Sequence, residues 1–258
     1  MYPIIEYIKF LFRSRNQHSV HSPFIYKLVT TCFYDKTQYE EYALLKSFRK
    51  RLYSNESVIR VQDFGAGSRV FKNNTRHVHK IAKTAGIPRK RGQLLFRVVK
   101  NFKPRHILEI GTSLGLATTA LSIGNSRAEI ITIEGCKETS KVAKEQFQFY
   151  ELNNIQLIND EFNKGLNSPE LKNSNFDLIF IDGNHNKEAT LRFFNSLLPN
   201  TNNESIMIFD DIHWSKGMTE AWESIKQDPR VKVSIDTFYW GMVFFRKEQE
   251  KEHFHIRV

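Results

Sequence analysis

From Lys103 onward the chain alternates short apolar runs with amphipathic ones, and that alternation admits few folds. Residues 106–110, 129–133, 155–158, 176–181 and 205–209 read as strands, and helical patterns over 114–123, 137–152, 161–171, 187–198 and 217–226 follow them in turn. Repetition of this kind builds a parallel sheet covered by helices on both faces. Two further strands, 231–235 and 240–245, stand too close together for a crossover, so they are expected to pair as an antiparallel hairpin at the sheet's edge. The predicted fold class is α/β, with a seven-stranded, mostly parallel sheet.

Residues before this point lack the alternation. Helical patterns at 3–13, 22–34, 39–53, 75–85 and 91–102, with a polar loop over 60–74, predict a helical N-terminal cap with a basic loop (1–93) ahead of the main domain (94–258). Ile4, Ile5, Ile8, Leu11 and Phe12 share one helical face, which the sequence predicts to pack on the body or on a second copy of the chain, with docking at a membrane surface the weaker alternative. The net charge of +10 is uneven: residues 60–105 hold 13 Lys/Arg against one acid, Asp63. Such a stretch could face nucleic acid, or be a solvated face that favours an anionic small substrate; its few aromatic residues weaken the nucleic-acid reading. Cys32 and Cys136 are far apart and in no CxxC spacing, which excludes a zinc ribbon or disulfide framework and fits a reducing cytoplasm. No apolar run is long enough to span a bilayer, and the N-terminus does not read as a signal peptide.

Two strand ends carry the chemistry. The run Phe176–Ile181 ends in Asp182-Gly183-Asn184-His185, and Ile206–Phe209 ends in Asp210-Asp211-Ile212-His213. Ligands of open parallel sheets bind outside the carboxyl ends of strands. Three carboxylates converging there, Asp182, Asp210 and Asp211, call for a cation, and a hard divalent metal such as Mg²⁺ is the usual one. His185 could serve as a base beside it. The competing reading is that each Asp caps the helix that follows. His213 is a weaker candidate, able to support the site or touch a substrate.

At the first strand-to-helix junction stands Glu109-Ile110-Gly111-Thr112-Ser113-Leu114-Gly115. Gly111 and Gly115 would let backbone approach a ligand at a helix N-terminus, although the spacing is not that of a dinucleotide fingerprint. Glu134 closes the second strand, where an acid suits ribose hydroxyls, or could cap the next helix; Asp160, after the third, could accept from an adenine amino group or act as a helix cap. Asp63-Phe64-Gly65-Ala66-Gly67-Ser68 mimics a glycine-rich cofactor loop, but no β-α unit follows it, so it reads as a loop over the site.

In order and spacing, Glu109–Gly115, Glu134, Asp160 and 177–182 resemble the class I S-adenosylmethionine-dependent methyltransferases, with their Rossmann-like sheet, over about residues 94–246. More narrowly, Asp182-x-x-His185 with Asp210-Asp211 resembles the magnesium-dependent sugar O-methyltransferases of the macrocin type, and bacterial methyltransferase-like proteins. It is similar more loosely to catechol and caffeoyl-CoA O-methyltransferases, which carry a lysine where His185 stands. The resemblance implies S-adenosylmethionine held by Glu109, Gly111, Thr112, Ser113, Gly115, Glu134, Asp160 and Asp182, Mg²⁺ held by Asp182, Asp210 and Asp211, and His185 as general base. The function implied is O-methylation of a polar small molecule or sugar in the cytoplasm. The alternatives are an RNA or other nucleic-acid methyltransferase using residues 60–105, and a cofactor-binding protein without catalysis.

Overall fold

The computed structural model describes residues 1–62, 73–168, 171 and 174–258. The glycine-rich stretch at 63–68 therefore lies outside the described residues, as does part of the helix predicted over 161–171. In chain order come α1 (Tyr2–Arg13), α2 (Pro23–Leu28) running into a π turn at Val29–Phe33, α3 (Tyr42–Tyr53), β1 (Val58–Arg60), β2 (Thr75–His77), α4 (Val78–Thr84) and α5 (Arg89–Phe102). Then follow β3 (His106–Ile110), α6 (Leu116–Gly124), β4 (Glu129–Ile133), α7 (Lys137–Phe149), β5 (Ile155–Ile158) and α8 (Phe162–Gly165). The last are β6 (Leu178–Ile181), α9 (Lys187–Leu197), β7 (Ile206–Asp210), α10 (Lys216–Gln227), β8 (Val233–Asp236), β9 (Trp240–Phe244) and β10 (Glu252–His255). The chain divides into two compact units, one of residues 35–168 and the other of residues 1–34 with 169–258.

In the 35–168 unit, β3, β4 and β5 pair in parallel in that order, with His106 opposite Glu129 and Ile130 opposite Ile155. The connections between them are the helices α6 and α7, as parallel strands require. The apolar faces of α3, α5 and α6 supply the core: Phe48, Leu52, Leu95, Phe96, Val99, Ala120 and Leu121 are fully buried. β1 and β2 form a separate antiparallel ribbon, so the helix expected over 75–85 begins as a strand and turns helical only at Val78.

In the other unit the strand order is β10-β8-β9-β7-β6. β6 and β7 run parallel, β9 lies antiparallel to both β7 and β8, and β10 runs parallel to β8. All seven predicted strands form. The eighth, Glu252-His253-Phe254-His255, has an interleaved polar pattern at a sheet edge and so lacks the apolar run by which the others were recognised. β6, β7 and β9 are buried along their whole length, which is why they read as unbroken apolar runs. Within β9, Gly241 lies against the Trp222 indole of α10: a Cβ there would fall 2.6 Å from Trp222 Cε3. The missing side chain is what lets the helix seat on the sheet.

In the N-terminal helix, Phe10 is buried and, with the partly exposed Tyr7, lies against the ring of Phe238. Ile4, Ile5, Ile8 and Phe12, expected to pack on the body or on a second copy of the chain, are exposed, so the body does not cover them. Phe10 and Tyr7 lie on the other side of the helix, and their aromatic partner, Phe238, is more than two hundred residues distant and has no local signature. Both cysteines are buried and free. Among the described residues no helix is long and apolar enough to cross a membrane.

Gly241→Ala should cost about 1–3 kcal/mol, because the added methyl must displace an indole in a packed core. A urea titration checks this; an unchanged midpoint would show that Trp222 has room to move.

Candidate active site

The turn after β3 in the 35–168 unit is built from residues whose backbones enter the left-handed region. Gly111 has φ +100°, Ser113 +48° and Gly115 +82°. Gly115 opens α6 and meets the Phe147 ring so closely that a Cβ would sit 2.5 Å from Cε1. Beneath the turn, Glu109 is fully buried, and its Oε2 accepts from the hydroxyls of Thr118 and Thr132, both at 2.6 Å. Thr132 also lies 2.5 Å from the Thr112 hydroxyl, so one buried carboxylate pins β3, β4, α6 and the turn together. Glu109 thus shapes the turn from below.

Glu134, at the end of β4, accepts from Ser113 N (2.8 Å) through Oε2 and from Cys136 N (2.9 Å) through Oε1. A carboxylate accepts about four hydrogen bonds, and these two fix its plane. The helix-capping alternative is met only in part: the bond goes to the amide of Cys136, which is itself the N-cap of α7 and makes no side-chain cap of its own. It does not exclude a ligand on the partly exposed outer edge. Asn159 donates to the Glu134 carbonyl (2.7 Å) and to Ser140 Oγ (3.0 Å), holding the end of β5 against that of β4. Asp160 accepts from Glu161 N (2.8 Å), and Glu161, not Asp160, is the N-cap of α8. Gly111, Ser113, Glu134 and Asp160 thus all stand at the carboxyl ends of β3, β4 and β5 or in the turns leaving them.

In the other unit, the ends of β6 and β7 carry the second group. The capping explanation for the three aspartates fails here. Asn186 caps α9 by accepting from Ala189 N (2.9 Å), and Ser215 caps α10 by accepting from Met218 N (3.2 Å). Asp182, Asp210 and Asp211 are thereby released from helix initiation. His185 Nε2 lies 3.4 Å from Asp182 Oδ1. Burial by itself would lower the imidazole's pKa, but the Asp182 hydrogen bond and the charges of Asp182, Asp210 and Asp211 together outweigh it and raise the value to about 9. Asn184 (φ +69°), His185 (+23°) and Asp211 (+52°) all have left-handed backbones. Such conformations cost about 1–3 kcal/mol each in non-glycine residues and cluster where function demands an orientation.

Three carboxylates are suitable donors for a hard divalent cation. Among the described residues, however, no three His, Cys, Asp or Glu side chains are gathered closely enough to hold an ion. What the carboxylates share in this geometry is the His185 imidazole.

His213 is buried, and its Nε2 donates to Asp236 Oδ2 (2.8 Å) while Nδ1 lies 3.1 Å from the Thr219 hydroxyl. Asp236 also accepts from Phe238 N (2.7 Å), and the Phe238 ring stacks on the imidazole at 5.4 Å. His213 therefore ties the chain beyond Asp211 to β8. Its partner Asp236 was missed in the sequence; an acid ending a strand, with Thr237 after it, was the available signal. Trp240 is core, edge-on to Phe180.

Each unit thus carries polar residues at the carboxyl ends of parallel strands, as Rossmann-like sheets do. Residues 108–212 match a family described as a methyltransferase domain. O-methyltransferase hkm8 of Aspergillus hancockii is 33% identical over 132 residues, covering 48% of this chain and 50% of its own, so the chain spans about half the length of this curated relative. Among solved structures, the SAH-bound methyltransferase PaMTH1 of Podospora anserina matches with a TM-score of 0.60 at 16% identity, covering 88% of this chain and 97% of its own. The O-methyltransferase of Bacillus cereus in complex with SAH matches with a TM-score of 0.57 at 18% identity, covering 83% and 94%. At such identities the structures establish the fold. The resemblance to class I S-adenosylmethionine-dependent methyltransferases drawn from the sequence therefore holds.

In chelator-treated protein, the His185 ring protons followed by NMR should titrate near 9. Asp182→Asn should move that midpoint down toward the ordinary histidine value of about 6.5, since it removes both the hydrogen-bonded carboxylate and one charge. An unmoved midpoint would mean that Asp182 does not govern His185.

Proposed function

We propose that the chain methylates a hydroxyl of a polar small molecule or sugar, using S-adenosylmethionine. The observation that carries this reading is the Asp182–His185 pair at the end of β6, flanked by Asp210 and Asp211 and released from helix capping. It lies within the stretch that matches a methyltransferase domain. S-adenosylmethionine supplies a methyl group already electrophilic on its sulfonium, so the protein's work is positioning and proton removal.

Each residue then has a stated task. The left-handed turn Gly111-Thr112-Ser113, with Gly115 behind it, brings backbone rather than side chain to the cofactor's amino-acid end. Glu134 accepts from the ribose hydroxyls, its plane already set by Ser113 N and Cys136 N. Asp160 accepts from the adenine amino group. Glu109 acts by holding the turn, and Asp182 orients His185. His185 takes the hydroxyl proton, and Asp182 stabilises the imidazolium that results. Because the surrounding carboxylates favour the charged imidazole, the base form requires some of that negative charge to be offset.

A divalent cation, the finer part of the reading, would do so. Asp182, Asp210 and Asp211 would be its donors, and it would supply a Lewis acid that lowers the acceptor hydroxyl's pKa. The basic run between residues 60 and 105 favours an anionic acceptor.

Calorimetry with S-adenosylhomocysteine should show binding that Glu134→Ala weakens about tenfold or more, through loss of charge-assisted hydrogen bonds; unaltered binding would sink the cofactor assignment. With labelled S-adenosylmethionine and a panel of hydroxylated acceptors, His185→Ala should lower kcat by about 10²–10⁴. EDTA should abolish turnover and Mg²⁺ restore it; turnover that survives EDTA removes the cation from the scheme and leaves His185.

A further inference from the structure

The outer face of α1 has no partner in its own unit, yet it is among the most apolar surfaces that the described residues expose. Ile4 is 65% exposed, Ile5 50%, Ile8 49% and Phe12 87%. At 3.6 residues per turn these four side chains fall within roughly 100° of arc, on the side away from buried Phe10. A stripe this wide on a surface helix marks a contact surface. The helix is held rigidly behind it: Tyr7 and Phe10 pack on Phe238, Arg15 N donates to the His255 carbonyl (2.8 Å), and the Arg257 guanidinium donates to the Leu11 carbonyl and to Ser14 Oγ (both 3.1 Å).

The charges beside the stripe decide what it meets. Lys9 and Arg13, one turn apart, border it, and Arg13, Arg15 and Arg257 are exposed together at the helix's C-terminal end, next to Phe12. Glu6, the lone acid among residues 1–34, is drawn to Lys9 at 2.7 Å with its side chain only 12% exposed, against 52% for Lys9. The face therefore presents isoleucines and phenylalanine edged by cations. A second copy placed symmetrically on it would set like charges near like, in a chain of net charge +10. An anionic lipid surface complements it instead, taking the apolar stripe at the headgroup–acyl boundary and the arginines among the headgroups.

We propose that α1 docks the protein on anionic membrane surfaces, lying flat with Ile4, Ile5, Ile8 and Phe12 toward the lipid. The full-length chain should float with vesicles of equal parts phosphatidylcholine and phosphatidylglycerol, but not with phosphatidylcholine alone. Binding should fall as salt rises toward about 1 M, where charges are screened within about 3 Å. The variant Ile5→Ser/Ile8→Ser/Phe12→Ser alters only exposed positions, so it should keep its circular dichroism and thermal midpoint while binding at least about tenfold more weakly. Should that variant fail to fold, Arg13→Gln/Arg15→Gln serves in its place and should lose the preference for anionic vesicles. Absence of flotation, or flotation that the substitutions leave unchanged, overturns the proposal. So does a dimer in light scattering that the serine variant converts to monomer, which would give the face to a second copy.

Discussion

Burial of β6 and β7 on both faces is the constraint on which the strand-end cluster of Asp182, His185, Asp210 and Asp211 depends. Neither strand has a residue exposed along its length, so neither can present charge to solvent or ligand except where it stops. A buried carboxylate partway along would cost several kcal/mol unless paired. The aspartates stand at the last residue of β7 or just beyond a strand, and the backbone there turns left-handed at Asn184, His185 and Asp211. The apolar runs and the acids are thus one design: the runs fix where the sheet ends, and the ends are the places where polar groups can serve.

The 35–168 unit solves the opposite problem, an acidic side chain kept inside. Glu109 is tolerated at full burial because the Thr118 and Thr132 hydroxyls meet it, and the same bonds draw the first helix and second strand onto the glycine turn. Glu134 then reaches across from β4 to the backbone of that turn. The turn's unusual dihedral angles are held by two carboxylates, one below and one beside it.

Most of the fold was legible because its strands are short apolar runs and its helices amphipathic, which writes the periodicity into the sequence. Seven strands, the two of the hairpin among them, could be read this way. β10 could not, because a half-exposed edge strand with two histidines carries no apolar run. For a related reason the sequence leaves open what meets the apolar face of α1: amphipathicity tells which side is apolar, not whether the body or a second copy covers it, and Tyr7 and Phe10 meet Phe238 on the other side. The positions of the site residues could be read from the strand ends. Their freedom from capping could not, because it depends on Asn186 and Ser215 taking those bonds, a choice among several polar residues that local sequence leaves open.

That allocation of caps separates two jobs that nearby polar residues often share. Asn186 and Ser215 start the helices; Asp182, His185, Asp210 and Asp211 do not. Loss of any of the latter would remove a polar group from a strand end without removing a helix cap, so both helices could still start. A scaffold arranged in this way can change the chemistry of its strand tips through substitutions confined to a few positions.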